Sequence, residues 1–207
     1  YTFLMMFFCL PFINRLMEIN AAMQLPEWLR NVELWMKQRE DEAARLTEVF
    51  LSVKTPAGLA FNLFMIAVIP AIGEEILFRG ILQRLFKECT NNVHVAVLLS
   101  GFVFSFIHFQ FYGFMPRMVL GVMFGYLFAW SGNLWYPIIA HFINNAMAVI
   151  AFYLYHNGLT TLDPEKAPEG TDTTMIVVMS MIIIWGMLFA FYRYCRLKGY
   201  LGGAENN

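Results

Sequence analysis

The chain has 207 residues, of which 59% are hydrophobic and only 14% are charged, and its formal net charge is −1. Ordinary soluble domains are about 25% charged, so this chain has too little polar side chain to cover the surface of a soluble globule. A near-neutral chain lacks the basic field that holds nucleic acid, and its high hydrophobicity excludes disorder. The composition therefore predicts an integral membrane protein.

Six apolar segments are predicted to cross the membrane, where a spanning helix needs about 20 apolar residues. The first segment is short, so we expect it to be the end of a span whose beginning precedes Tyr1. Backbone polar groups in lipid must be paired within the protein, which predicts an all-α, polytopic transmembrane helical bundle. The predicted spans are Tyr1–Ile13, Ala57–Phe86, Val93–Phe111, Pro116–Trp130, Leu134–Tyr155 and Met175–Tyr194.

A charged segment, Leu25–Val53, separates the first two spans. Thirteen of the 29 charged residues (14 basic and 15 acidic) fall between Arg15 and Lys54. Within Leu25–Val53 apolar residues recur at helical spacing and charges fill the other face, which predicts an amphipathic helix on the membrane surface or on the bundle. The alternative is a lid that gates access for a substrate.

The chain divides into three predicted regions: residues 1–56, a membrane core at 57–156, and residues 157–207. The last region begins with a predicted exposed loop, Asn157–Thr174, which contains two glycines and two prolines. Basic residues near span ends favour a cytoplasmic C-terminus, because short cytoplasmic loops are enriched in lysine and arginine. Those on the predicted cytoplasmic side are Arg84, Lys87, Arg193, Arg196 and Lys198, and the opposite short loops hold Arg117 and Lys166.

Polar side chains within the predicted spans are the candidate functional residues, because each ionisable group there costs at least about 2.5–3.5 kcal/mol. With a rise of about 1.5 Å per residue, Glu74 lies about 20 Å from the cytoplasmic end of its span and His108 about 22 Å. His141 and Asn145 lie about 12 and 18 Å from theirs. Three helices thus bring these groups to overlapping depths. The full set is Glu74, Glu75, Arg79, His108, His141, Asn144 and Asn145.

The spacing of these residues distinguishes those predicted to stabilise their own helix from those predicted to face the other spans. Glu75 and Arg79 are four apart, which predicts a structural ion pair within one helix. Glu74 points about 100° away and is free to face other spans, whereas His141 and Asn145 share one helical face. Two further features predict packing: Phe104 one turn before His108, and the GxxxG spacing from Gly121 to Gly125, which favours close helix contact.

The residue types are compatible with two kinds of hydrolytic site. A buried glutamate and a histidine can take a proton from water, and a histidine–asparagine pair can stabilise the oxyanion formed when that water attacks an amide. Alternatively, Glu74, His108 and His141 could hold Zn²⁺ with an open position for water. Each histidine alone could instead form an ordinary interhelical hydrogen bond. The three cysteines, Cys9, Cys89 and Cys195, lack CxxC spacing and predict neither a disulfide framework nor a zinc knuckle.

Three short motifs occur in order on separate predicted spans. They are EExxxR at Glu74-Glu75-Ile76-Leu77-Phe78-Arg79, FxxxH from Phe104 to His108, and HxxxN from His141 to Asn145. This order resembles the CAAX protease and bacteriocin-processing family, also called the Abi or type II CAAX endopeptidase-like membrane proteins. The stretch Gly121–Pro137 is similar to the helix and turn before the family's last motif, so the resemblance covers about Ala57 to Tyr155.

The resemblance implies an intramembrane protease in which Glu74 and His108 activate water. It implies that His141 and Asn145 stabilise the oxyanion, with Glu75, Arg79 and Phe104 in support. It favours catalysis without a cofactor, with Zn²⁺ as the alternative.

The family also implies a peptide or protein substrate. Eukaryotic relatives remove the last three residues of prenylated CaaX proteins, and some bacterial relatives are linked to bacteriocin maturation or self-immunity. We therefore expect a lipidated, bacteriocin-like or other membrane-associated peptide as partner, in a bacterial cytoplasmic membrane. Two other classes fit the same bundle: a non-enzymatic immunity or scaffold protein, and a transporter with an intramembrane proton site, although no inverted repeat is visible.

Overall fold

The computed structural model describes residues 1–164 and 173–200. Part of the predicted loop, residues 165–172 with Lys166, and the tail 201–207 lie outside the described residues. The described part folds into seven α-helices and contains no β-strand, which confirms the all-α helical bundle. The helices are α1 (Thr2–Ala21), α2 (Arg30–Leu51), α3 (Pro56–Thr90), α4 (Val93–Phe106), α5 (Phe114–Ser131), α6 (Trp135–His156) and α7 (Thr173–Leu197).

The helix ends follow from local residue chemistry. Helix α3 starts with Pro56 in its first turn, and the Thr55 side chain caps it by accepting a hydrogen bond from the Gly58 amide at 3.1 Å. The Asn92 side chain caps α4 by accepting hydrogen bonds from the amides of His94 and Val95, at 2.9 and 3.2 Å. Helix α5 ends at Gly132, whose φ of 65° is the left-handed conformation that glycine adopts without strain. These caps fix the short connections between consecutive helices.

Helix α3 carries two π-helical segments, Leu63–Val68 and Ile76–Leu82, on either side of Glu74 and Glu75. A π-helical turn changes the backbone hydrogen-bonding pattern and occurs often at functional sites. Here the carbonyl of Phe78 accepts a hydrogen bond from the Ser100 hydroxyl of α4 at 3.1 Å. The π-helical segments thus supply acceptors to neighbouring helices.

Within the described ranges, five helical segments are long and apolar enough to cross a membrane: Thr2–Ala21, Pro56–Thr90, Phe111–Ser131, Trp135–His156 and Thr174–Leu197. Large apolar side chains face outward on them, as expected for contact with lipid. For example, Trp185 is 69% exposed. The chain is an integral membrane protein.

Two of the six predicted spans need correction. The first, Tyr1–Ile13, is part of a 20-residue helix that continues past the charged Arg15, which pairs with Glu18 one turn later at 2.6 Å. The third, Val93–Phe111, is a helix of only 14 residues that ends at Phe106. Hydropathy alone did not mark the end of this helix, because Ile107, Phe109 and Phe111 continue the apolar segment beyond it.

Helix α5 lies at the centre of the bundle and packs against α1, α4, α6 and α7. The main core joins residues of α1, α5, α6 and α7, and methionines and phenylalanines fill much of it. Its buried members are Met5, Met6, Cys9, Ile13, Leu120, Met123, Phe124, Leu127, Ala140, Ile184, Phe191 and Cys195.

The GxxxG segment of α5 makes the predicted close helix contact. A β-carbon at Gly121 would lie 3.0 Å from the α-carbon of Gly101 in α4, a distance that real side chains rarely reach. Only glycines at these positions let the two backbones approach so closely. This approach brings the backbone carbonyl of Gly121 within reach of α3.

The charged segment forms the predicted helix as α2, and it joins the bundle through a different face from its apolar stripe. Glu40 contacts the turn after α4, where its Oε2 accepts a hydrogen bond from the Tyr112 amide at 3.2 Å. The apolar stripe, in contrast, points outward: Trp28 is 81% exposed and Val49 is 70% exposed. The location of this stripe at the membrane surface stays a prediction.

Candidate active site

A cavity of about 240 Å³ opens among α3, α5, α6 and the C-terminal end of α4. Four predicted catalytic residues line it, so the structure brings the three sequence motifs together. Its lining consists of Pro70, Glu74, Phe104, His108, Arg117, Leu120, Phe124, His141, Asn144 and Asn145. Among the predicted site residues, Glu75 and Arg79 do not line the cavity and lie behind it.

The predicted ion pair of Glu75 and Arg79 is present, and both side chains are fully buried. Nη1 of Arg79 donates to Oε1 of Glu75 at 2.6 Å, and Nη2 donates to the Gly121 carbonyl at 2.9 Å. The guanidinium also lies over the ring of Phe104, 4.7 Å from its centroid. A buried charge is tolerated only when paired and hydrogen-bonded, so this pair depends on the close approach of α4 and α5.

Glu75 also orients His141. Nδ1 of His141 lies 2.8 Å from Oε1 of Glu75. The same oxygen already accepts a hydrogen bond from Arg79, so it acts as an acceptor toward His141 as well, and Nδ1 of His141 therefore carries the proton. Nε2 of His141 points to the cavity and lies 3.9 Å from Oε2 of Glu74. This distance is too long for a direct hydrogen bond, but one water molecule can contact both atoms.

His108 lies beyond the end of α4, not within a spanning helix as predicted. Its Nδ1 donates to the Phe104 carbonyl at 2.7 Å, which leaves Nε2 of the neutral ring as a proton acceptor. The next residue, Phe109, has a φ of 52°, a left-handed conformation that is rare for a bulky side chain. Such strain persists only where the surroundings impose it and often marks functional sites.

Two hydrogen bonds orient the side-chain amide of Asn145 and leave one of its N–H groups without a partner in them. Its Nδ2 donates to the carbonyl of Ile66, in the first π-helical segment, at 3.1 Å. Its Oδ1 accepts a hydrogen bond from Nδ2 of Asn144 at 3.2 Å, which fixes which way the amide points. The second Nδ2 hydrogen is available for a ligand in the cavity.

Sequence reasoning missed the residues that hold the turn after His108. Asn20, almost fully buried at the end of α1, donates to the Phe111 carbonyl at 2.8 Å and accepts from the Met115 amide at 2.7 Å. Glu40 of α2 accepts from the Tyr112 amide, and partial burial raises the pKa of the Glu40 carboxyl. Asn20 and Glu40 are distant in sequence from this turn and belong to no motif, so no local signal pointed to them.

Sequence reasoning also assigned Arg117 to a connecting loop. In the structure it lies in the first turn of α5 and lines the cavity. Arg117 follows Pro116 at the start of an apolar run, where a basic residue is ordinarily interpreted as marking the end of a span. Because of this interpretation, Arg117 was not recognised as a residue of the site.

The donor atoms do not have the arrangement that the zinc alternative requires. Among the described residues, no group of three histidine, cysteine, aspartate or glutamate side chains is spaced to hold a metal ion. The reaction proposed below therefore does not use zinc.

Comparisons with known proteins agree with the motifs. Residues 56–147 match the family model described as type II CAAX prenyl endopeptidase Rce1-like. MroQ of Staphylococcus aureus, a membrane-embedded CAAX protease, is 29% identical over 115 residues, which cover 53% of this chain and 43% of MroQ. No solved structure matches the chain.

Two proteins of Bacillus subtilis are also similar. YdiL, named as a candidate membrane peptidase, is 32% identical over 84 residues, covering 41% of this chain and 34% of YdiL. YpbD, an uncharacterized protein, is 28% identical over 90 residues, covering 42% of this chain and 43% of YpbD. The chain thus matches less than half the length of each of these relatives. The segment that carries the three motifs and lines the cavity is the one that matches the Rce1-like, type II CAAX prenyl endopeptidase family, which confirms the resemblance drawn from the sequence.

Proposed function

We propose that the chain is an intramembrane endopeptidase that hydrolyses a peptide bond with a water molecule activated by Glu74 and His108. The observation that carries this proposal is the single cavity on whose wall Glu74, His108, His141 and Asn145 meet. The Rce1-like match over the same segment supports it. Each of the four residues has a free donor or acceptor that suits a different part of the reaction.

The first step is attack by water on the peptide carbonyl carbon. Glu74 is half-buried and outside the Glu75–Arg79 pair, so its carboxylate is available to take a proton from the water. Nε2 of His108 accepts the second water hydrogen as a hydrogen bond and orients the lone pair. The C–O bond forms, and the carbonyl oxygen becomes an oxyanion.

The oxyanion is stabilised by two donors on one face of α6. The free Nδ2 hydrogen of Asn145 is one of them. His141 supplies the other when its Nε2 is protonated, and the carboxylate of Glu75, 2.8 Å from Nδ1, balances the charge of that ring. When the C–N bond breaks, Glu74 returns its proton to the leaving amine.

The substrate is a membrane-associated peptide or protein, of the CaaX type or a bacteriocin-like type. The reaction needs no cofactor, because all its proton transfers use side chains of this chain. The cell membrane of a bacterium is the proposed location, with the C-terminus of α7 and the basic end of α3 in the cytoplasm.

The test is cleavage of a panel of prenylated and unprenylated peptides by the purified chain in lipid nanodiscs, with products identified by mass spectrometry. We expect Glu74→Gln and His108→Ala to lower the rate at least 100-fold, the usual contribution of a general acid or base. Glu88→Gln and His94→Ala are matched controls, because both side chains are exposed and lie outside the cavity. Equal cleavage by wild type and the Glu74 variant would overturn the assignment.

Two further outcomes address the rival classes. A cellular phenotype that survives Glu74→Gln in a folded protein would favour an immunity or scaffold role over catalysis. Activity that disappears on chelation, together with loss of a stoichiometric zinc signal, would overturn the metal-free version.

A further inference from the structure

Arg117 is a cation in the wall of the cavity that the proposed reaction does not use. It comes from the first turn of α5 and shares the cavity with Glu74, His108, His141 and Asn145. A charged group within a membrane protein is costly and ordinarily has a partner of opposite charge. Among the described residues, no carboxylate lies within 4.0 Å of Arg117 to form an ion pair, although Glu40 and Glu74 act on it through space.

The direct hydrogen-bond partner of Arg117 is neutral. Nη2 donates to the side-chain oxygen of Gln110 at 2.5 Å, and Nη1 donates to the Gln110 backbone carbonyl at 3.4 Å. A guanidinium has five N–H donors, so these two bonds leave three for other acceptors. Gln110 therefore holds the group without neutralising its charge.

Gly113 fixes the same guanidinium from the other side. A β-carbon at Gly113 would collide with Nη2 of Arg117. Gly113 is buried, and the turn that contains it is bonded to α1 through Asn20 and to α2 through Glu40. The guanidinium is thus preorganised at the cavity wall, which lowers the entropy lost when it binds a ligand.

Arginine binds carboxylates well because its planar fork can donate two parallel hydrogen bonds. The cavity, at about 240 Å³, is below the usual range of about 300–1,000 Å³ for small-molecule sites. It therefore admits only a short stretch of extended peptide. A carboxylate bound by Arg117 must lie within a few residues of the bond being hydrolysed.

We propose that Arg117 is a specificity-determining residue that binds a carboxylate of the substrate beside the scissile bond. This inference rests on the proposed function. The carboxylate is supplied by the C-terminus of a peptide or by an acidic side chain, and the chemistry that recognises it is the same in both cases.

The test uses three synthetic peptides of one cleavable sequence: a free C-terminal acid, the C-terminal amide, and the amide with a glutamate near the scissile bond. Cleavage by wild type, Arg117→Gln, Arg117→Lys and Gly113→Ala is measured in nanodiscs. Arg84→Gln is the matched control, because this exposed arginine of α3 lies outside the cavity. We expect at least a tenfold lower KM for a carboxylate peptide than for the amide in wild type and in Arg84→Gln.

Arg117→Gln should abolish this preference by raising KM for the carboxylate peptides to the value for the amide. Arg117→Lys should restore part of it, and Gly113→Ala, which displaces the guanidinium, should weaken it. The outcome that overturns the inference is an unchanged preference in Arg117→Gln, or a wild type that treats all three peptides alike.

A binding measurement separates this inference from the proposed function. Fluorescent versions of the three peptides are titrated onto the Glu74→Gln variant, and affinity is read by anisotropy without any cleavage. A carboxylate preference that needs Arg117 supports the inference even if wild type cleaves no peptide. The same titration is repeated in zwitterionic nanodiscs, and the binding of phosphatidylglycerol is measured separately. If the carboxylate preference is absent in zwitterionic nanodiscs and Arg117→Gln alters only the binding of phosphatidylglycerol, the anion is a lipid phosphate and the inference is wrong.

Discussion

Nδ1 of His141 lies 2.8 Å from Oε1 of Glu75, the same carboxylate oxygen that accepts a hydrogen bond from Arg79. One fully buried carboxylate therefore connects the supporting pair to the cavity. It determines which nitrogen of His141 carries a proton when the ring is neutral. The two glutamates of the EExxxR motif thus have different tasks although they are neighbours in sequence.

Removing the buried carboxylate should destabilise the protein. In Glu75→Gln, Arg79 keeps its charge in a site that excludes water, and breaking a buried pair in this way costs about 3–5 kcal/mol. Glu18→Gln is the matched control, because Arg15 and Glu18 also lie 2.6 Å apart but are exposed, and such pairs are worth about 0–1 kcal/mol. Unfolding by denaturant in detergent measures both. A Glu75→Gln protein as stable as Glu18→Gln would contradict the structural role of this pair.

The close approach of α4 and α5 should not tolerate a methyl group. We expect Gly121→Ala to destabilise the fold by about 1–3 kcal/mol, because overpacking forces the helices apart. The shift also withdraws the Gly121 carbonyl from Arg79. Gly186→Ala in α7 is the control, since a β-carbon there meets no atom within 4 Å. The midpoint of thermal unfolding in detergent distinguishes them, and equal midpoints would mean that the contact is not tight.

Titration of Glu40 should make the stability of the folded protein depend on pH. Burial raises the pKa of its carboxyl, with nearby Asp41 adding to the rise and Arg117 and the Tyr112 amide opposing it. Between the ordinary glutamate pKa and this raised value, the folded state binds more protons than the unfolded state, so stability falls as pH increases. Above the raised pKa the loss is complete and the dependence ends.

Replacing Glu40 with glutamine tests this sign. The glutamine of Glu40→Gln keeps an oxygen that can accept a hydrogen bond from the Tyr112 amide, but its side chain cannot titrate. The unfolding midpoint of this variant should therefore change less with pH over that window. Glu48→Gln, an exposed glutamate on the same helix, should follow the wild-type curve. A Glu40→Gln protein with the wild-type pH profile would contradict the prediction.

The motifs predicted the site better than hydropathy predicted the helices around it. Glu74, His141 and Asn145 reach one cavity from within two long helices that the apolar segments of the sequence had predicted. His108 reaches the cavity from the turn after α4. The apolar composition of this part of the sequence did not reveal where α4 ends. Arg117 was missed for a related reason, because only tertiary packing turns it toward the cavity.

Helix α4 has a consequence for the surrounding bilayer. Its 14 residues rise about 21 Å, whereas the hydrocarbon core is about 30 Å thick. The membrane beside this helix must therefore thin by several ångströms or let water and headgroups descend toward His108. The proposed hydrolysis would consume one water molecule per cleaved bond, and this local mismatch would give that water a route into the bilayer. The thickness of the host membrane is thus expected to influence the rate of the proposed reaction as well as the stability of the protein.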